Sequence, residues 1–279
     1  MTGSGHFLPI IVILALLGAG CLHAPVATDE MLDARHHLMQ QLLHGVTGHL
    51  QASLSSLDDT CSEAAETLGS TSLSGPRADA ILERVVSSHP SILTAITYDT
   101  NGTVIAAEPA SAKVIIGRRL LDQEQVRQAV GTQKPLMSGY FTLAQGGEGV
   151  AIARPVFSGD GKFIGVVSTT FSPRMLIAPE AGDAMAYAPF IFNIAQADGR
   201  ILFHPDPSLV GKPTFNETTF SRFPGILDLA RRYSSERSGY ATFSFSRTGS
   251  DVVVEKETFW DTVSLHGTEW RVMVIAETG

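Results

Sequence analysis

An arginine set among apolar residues is the first position in this chain with chemical potential. In the stretch Gly149–Phe171, two β-favouring runs flank Ser158-Gly159-Asp160-Gly161-Lys162, a turn of residues that tolerate positive φ. Side chains alternate along a strand, so Val150, Ile152, Arg154 and Val156 share one face. Arg154 is then either a surface group at a frayed edge or a cation directed into a concave site. In the second case its planar guanidinium presents a fork suited to a carboxylate or a similar planar anion.

The other reactive residue types point away from catalysis. His204-Pro205-Asp206-Pro207 brings an imidazole near a carboxylate, but two prolines around an acid are first of all turn chemistry. His36, His37, His44 and His49 fall along one helical stretch without a Cys or carboxylate at ligand spacing, so a solvated helix face is expected and no metal. No nucleophile elbow, Walker loop, Cys-x-x-Cys or His-Glu-x-x-His is present, which leaves a hydrolase as the weakest reading and implies neither an enzyme nor a cofactor. The net charge of −8 argues against a nucleic-acid partner, which calls for a basic patch. It also gives no general attraction to anionic headgroups, so membrane attachment would need a hydrophobic anchor.

The N-terminus supplies one. Phe7–Gly20 is uncharged and apolar, the length of a signal-peptide core and shorter than a spanning helix. It runs into Leu16-Leu17-Gly18-Ala19-Gly20-Cys21, which resembles the lipobox of exported lipoproteins. That resemblance implies a signal peptide over 1–20, lipid on Cys21 and an outward-facing chain held at the cell membrane. The alternative is an uncleaved single transmembrane anchor running to about Ala27. With Cys21 modified, only Cys61 remains. It follows Leu50, Leu54 and Leu57 at helical spacing and reads as a buried thiol. Two glycosylation sequons, Asn101-Gly102-Thr103 and Asn216-Glu217-Thr218, agree with export.

The elements that must position these residues come in a repeating order. Apolar residues recur at three- and four-residue steps from Thr28 to about Leu68, predicting one long helix with Thr28 or Asp29 as its cap. Pro76–His89 reads as a second helix, stopped by Pro90. Strands follow at Ile92–Tyr98 and Thr103–Ala107, then a helix over Asp122–Val130. Three more strands are expected near Met137–Leu143, Val150–Phe157 and Phe163–Thr170. A linker with Pro173, Pro179, Gly182 and Pro189 precedes a second copy: strands at Phe190–Gln196 and Arg200–Phe203, a helix at Phe223–Tyr233, and strands from Gly239, Glu255–Leu265 and Trp270–Ala276. Gly102, Gly117 and Gly139 recur as Gly199, Gly211 and Gly239, at offsets of 97, 94 and 100 residues. Turn glycines at near-constant spacing in one strand–helix order imply two copies of one unit, each an antiparallel sheet with helices packed on it, an α+β class.

Over residues 28–279 this pattern resembles the double Cache family of PAS-like extracellular sensor domains. The resemblance rests on the long helix, Asp99-Thr100-Asn101-Gly102, Ile116-Gly117-Arg118, Ser138-Gly139-Tyr140, Ala153-Arg154-Pro155-Val156 and Gly161–Val167. In the second half it rests on Gly199–Asp206 and Gly267-Thr268-Glu269-Trp270. It implies a tether and long helix over 21–72, a membrane-distal module over 73–178 and a membrane-proximal module over 186–279, with a small molecule in the first. The candidate ligand contacts are Arg118, Arg119, Tyr140, Thr142, Arg154 and Thr170. Amino-acid-binding members of the family carry an Arg-x-Trp-Tyr element on the pocket helix and an aspartate in the last strand. Here the helix has no aromatic pair, and Thr170 stands at the aspartate position. An unpaired ammonium is costly to bury, so a carboxylate or neutral compound is expected instead of an amino acid. No output module is expected before Gly279, so the expected role is a membrane-anchored sensor that signals through, or delivers ligand to, a separate membrane receptor. The alternative is a structural or surface-interaction protein whose modules bind nothing small.

Overall fold

A computed structural model describes residues 24–215, 220–247 and 250–278. Cys21, the signal-peptide core, the anchor alternative and the second sequon lie outside the described residues. Among the described residues, no helix is long and apolar enough to cross a membrane. Contacts divide the chain into a unit of residues 1–37 and a unit of residues 38–279, and both sheets belong to the second.

The long helix α1 (Ala24–Gly69) starts earlier than predicted, so Thr28 and Asp29 lie inside it and do not cap it. Its 3.6-residue period puts Met39, Val46, Leu50, Leu54, Leu57, Cys61 and Leu68 on one buried stripe. It ends against the first sheet: a Cβ on Gly69 would sit 2.2 Å from the Phe157 carbonyl oxygen. Helix α2 (Pro76–Ser88) begins on a proline, whose fixed φ suits a first turn.

The first sheet is antiparallel, in the order β2 (Val104–Glu108), β1 (Ile92–Tyr98), β6 (Phe163–Phe171), β5 (Glu148–Phe157), β3 (Leu136–Met137), with β4 (Phe141–Thr142) also on β5. One face packs on α1 and α2, the other on α3 (Glu124–Thr132). The strand expected over Met137–Leu143 is broken. The Ser138 hydroxyl accepts from the Ala151 amide (2.9 Å) while donating to the Gly139 carbonyl (2.7 Å), so a side chain takes over a ladder position and the alternation shifts between β3 and β4.

The predicted linker is also different: residues 173–187 form helix α4 (Pro173–Tyr187). Pro173 lies in its first turn, and the Ser172 hydroxyl caps it by accepting from the Met175 amide at 3.3 Å. Proline at a helix start favours the helix that proline counting argues against. The second sheet then runs β8 (Ile201–Phe203), β7 (Ile191–Gln196), β11 (Thr268–Glu277), β10 (Val253–Leu265), β9 (Gly239–Ser246), all antiparallel. Helix α5 (Pro224–Ser235) covers one face. Strand order β2-β1-β6-β5 is repeated as β8-β7-β11-β10, the duplication expected from the glycine spacing. The inner faces of both sheets join α1 and α4 in one continuous apolar core. The fold is thus α+β, a long N-terminal helix followed by two antiparallel sheets.

Candidate functional site

A cavity of about 20 Å³ lies on the α3 face of the first sheet. The period of two along β1 sends Thr94, Ile96 and Tyr98 into it, and β6 adds Ser168 and Thr170. Ala151 on β5 is small and keeps the floor open. Gln123, Gln125 and Val126 at the start of α3 form one wall, and Phe141, Leu143, Ala144 and Gln145 form the other. The Gln125 amide nitrogen donates to the Gln123 carbonyl oxygen at 3.0 Å, which fixes both side chains at the rim. Among the described lining residues none is charged. Burial pushes the Tyr98 phenol far above its ordinary pKa, so it stays a neutral hydroxyl. Hydroxyls and side-chain amides, each able to donate and accept, stand beside Ile96, Leu120 and Val126, around a space that as it stands holds roughly one water.

The predicted contacts separate. Thr170 lines the cavity and is 7% exposed. Arg118 is exposed at its rim, where Nη1 donates to the Ala144 carbonyl at 2.8 Å. Arg119 is exposed and donates through Nε to the Asn101 carbonyl (3.1 Å), outside the cavity lining. Thr142 is exposed too. Tyr140 points to the second half of the chain. Its amide donates to the Gln196 Oε1 at 2.5 Å, and burial followed by the nearby Glu148 raises its phenol pKa. The shift at Ser138 is the reason: it gives the cavity Phe141 and Leu143 in place of Tyr140 and Thr142.

Arg154 stands on the opposite face of the sheet. Nε donates to Asp58 Oδ1 (2.9 Å) and Nη2 to Asp58 Oδ2 (2.5 Å). Asp58 belongs to α1, and His266 Nε2 from the β10–β11 turn donates to its Oδ1 at 2.9 Å. The fork is occupied by the protein's own carboxylate. Beside it Cys61 is fully buried, and burial pushes its thiol up to about 12.

Of the lining residues only Thr170 is a candidate from sequence, and the polar ones that sequence reasoning missed are Thr94, Tyr98, Gln123, Gln125, Gln145 and Ser168. Thr94, Ile96 and Tyr98 alternate on β1, and Ser168 and Thr170 on β6, a polar period of two that signals a shared face but not which face is covered.

A family model described as HK/GC/Chemotaxis protein-like, sensor domain, matches residues 52–173, the stretch that contains the cavity. No curated protein matches the chain. Among solved structures, the chain is similar to an extracellular ligand binding receptor from Desulfohalobium retbaense, at 26% identity and TM-score 0.72 over 85% of this chain. It spans only 40% of that receptor's chain. It is also similar to the ligand-binding domain of the Pseudomonas aeruginosa amino acid chemoreceptor PctB, solved with L-Arg (19% identity, TM-score 0.65, 90% of this chain and 96% of that one) and with L-Gln. The chemoreceptor CtaA of Pseudomonas fluorescens, solved with L-alanine (17% identity, TM-score 0.62, 90% and 97%), has the same fold.

These structures overturn the expectation that the ligand is a carboxylate or neutral compound as opposed to an amino acid. Neighbours of this fold were solved with L-Gln, L-Arg, L-alanine, L-serine and GABA. The expectation leaned on Arg154, whose charge is spent on Asp58 and lies outside the cavity. The fold is that of the extracellular ligand-binding domains of chemoreceptors, and the proteins it resembles are sensors and receptors.

Proposed function

We propose that the chain is an outward-facing sensor whose first module, residues 73–178, binds a small molecule of the amino-acid class and reports it to a separate membrane partner. The carrying observation is the uncharged, hydroxyl- and amide-lined cavity between β1, β6 and α3, inside the stretch that matches a sensor domain. Its walls must move apart to admit a ligand, because the closed space holds roughly one water. Arg118 at the rim is the group for the ligand carboxylate. Its present acceptor, the Ala144 carbonyl, is a weaker partner for a guanidinium than a carboxylate. The ammonium goes to neutral oxygens, those of Thr170, Ser168 and the Gln125 amide. Residues 186–279 form the second Cache module of a double Cache arrangement, and the segment from residue 21 to 72 is its tether and long helix. Anchoring is through lipid on Cys21 after removal of residues 1–20, supported by the apolar run and small residues before that cysteine.

A thermal-shift screen of the purified chain against the proteinogenic amino acids and GABA tests the reading. A ligand at a hundred times its Kd adds about 2.7 kcal/mol of stability, and Thr170→Val should weaken the responding ligand at least about tenfold. A screen in which no amino acid raises Tm would defeat the proposal and favour a surface-interaction protein. Anchoring is tested separately: Cys21→Ser should accumulate as unprocessed precursor, and an intact N-terminus on mature wild-type protein would rule the lipid out.

A further inference from the structure

The second sheet has a cavity where the duplication places one. β7 and β11 stand where β1 and β6 stand in the first sheet, and α5 packs on the second sheet as α3 packs on the first. Between them lies a space of about 50 Å³, walled by Ile226, Leu229, Phe243, Phe245, Met273 and Ile275. It adjoins an outer cleft of about 400 Å³, with His204, Leu209, Phe245 and Lys256 lining both.

Five polar side chains interrupt these apolar walls: Asn193, His204, Thr214, Tyr233 and Lys256. Tyr233 is 1% exposed and its hydroxyl has no hydrogen-bond partner. The neighbouring Thr214 hydroxyl donates to the Gly199 carbonyl at 2.7 Å and lies close enough to pull the Tyr233 phenol pKa down a little against the larger upward push of burial. Asn193 Oδ1 is likewise buried without a partner, its amide nitrogen lying 3.8 Å from Met273 Sδ. Tyr233, Thr214 and Asn193 line the inner space only. Lys256, 4% exposed, donates to the Ser246 carbonyl at 3.0 Å and sits 5.8 Å from the Phe245 ring centre. His204 Nδ1 accepts from the Asp206 amide (2.9 Å), so in the neutral ring the proton is on Nε2, a donor at the mouth. Among the described residues no carboxylate lines the inner space. Asp206 and Asp251 line the outer cleft with Arg247, which is paired to Glu277.

Buried polar atoms without partners are rare in native proteins because each forfeits its hydration without replacement. Here the orphans are complementary to one occupant. Lys256 and His204 offer donors to an anionic head. Deeper in, a single hydroxyl would donate to Asn193 Oδ1 and accept from Tyr233. We propose that this cavity is a second ligand site, taking a small organic anion with a short apolar body that carries a hydroxyl group. The site is independent of the first-module cavity, and its ligand class follows from its own donors. Burial lowers the pKa of Lys256 against a smaller pull from Glu277, and that of His204 against smaller pulls from Asp206.

Calorimetry of the full chain with 3-hydroxybutyrate, butyrate and 1,3-butanediol tests this. 3-Hydroxybutyrate should bind with a Kd at or below about 1 mM, butyrate more weakly, and the uncharged diol not at all. Lys256→Met should weaken both anions at least about thirtyfold, and Thr170→Val in the first module should change neither. Tyr233→Phe keeps the ring and removes the hydroxyl. It should erase the preference for 3-hydroxybutyrate over butyrate, which keeps the test sharp even where Lys256→Met fails to fold. Absence of binding by both anions, ordered water alone in a crystal soaked with them, binding untouched by Tyr233→Phe and Lys256→Met, or binding lost in Thr170→Val would each overturn the proposal.

Discussion

At the scale of single residues, the most consequential group is Asp58. It takes two hydrogen bonds from Arg154 and one from His266, so one carboxylate on α1 ties both halves of the chain. Asp58 and Arg154 side chains are 8% and 21% exposed. Removing one partner of such a pair leaves a buried charge and typically costs about 3–5 kcal/mol. Arg154→Met should therefore lower the stability measured by denaturant titration by that amount while leaving amino-acid affinity within about twofold, because Arg154 and the cavity lie on opposite faces of β5. A variant of normal stability that has lost binding would reverse this assignment. Cys61 gives a second residue-level expectation. Its thiol is raised from 9.0 to about 12 by burial. The unfolded thiol ionises first, so its contribution to stability is intact below pH 9 and lost as pH rises from 9 towards 12. Cys61→Ala should lessen the alkaline fall in stability, and a thiol reagent should label wild-type Cys61 only under denaturing conditions.

Among the elements, β6 and α4 make the strongest demands on sequence. Gly165 has φ 149°, and a Cβ there would lie 2.3 Å from the Tyr98 carbonyl oxygen and 2.6 Å from Leu73 Cδ1. No side chain fits between β6, β1 and the loop before α2. Gly165→Ala should destabilise by about 1–3 kcal/mol, read as a lower Tm. For α4, the Ser172 cap and the proline in its first turn convert an expected linker into helix, and Leu176, Ile177 and Ala181 are buried. Limited proteolysis should therefore spare 173–187 and cut earlier at the exposed loop around Ser70–Ser72. A first cut inside α4 would show that it opens locally.

In the second unit as a whole, the core is shared. Phe171 of the first sheet and Trp270 of the second have ring centres 6.2 Å apart. Thr268 Oγ1 donates to the Met137 carbonyl (2.5 Å), and Gln51 on α1 exchanges two hydrogen bonds with Ser264 (3.1 and 3.0 Å). Neither sheet buries its inner face without α1, so unfolding followed by tryptophan fluorescence and by far-UV circular dichroism should give coincident transitions. Acid adds a further expectation. Burial depresses the His204 pKa below 6.5, against a smaller opposing pull from Asp206. The unfolded ring takes up its proton first, so this part of the stability is present above pH 6.5 and is lost as pH falls below it. His204→Gln should flatten that slope in denaturant titrations between neutral pH and the onset of carboxylate protonation.

The sequence by itself determined the long helix, the two repeated units and the alternation along β1, β5 and β6. Each of these is written in local periodicity: apolar residues at three- and four-residue steps, glycines at turns, a period of two in strands. It also placed Val150, Ile152, Arg154 and Val156 on one face, correctly. What periodicity does not carry is which side of a sheet a helix covers and which residue distant in the chain meets a charge. Arg154 reads as a ligand contact in the sequence because Asp58 and His266, 96 residues before it and 112 after, are brought to it only by packing. Tyr140 and Thr142 are misplaced by sequence for a related reason. A single serine side chain at 138 enters the strand ladder and shifts the alternation after it, and that exchange exists only once β5 lies alongside.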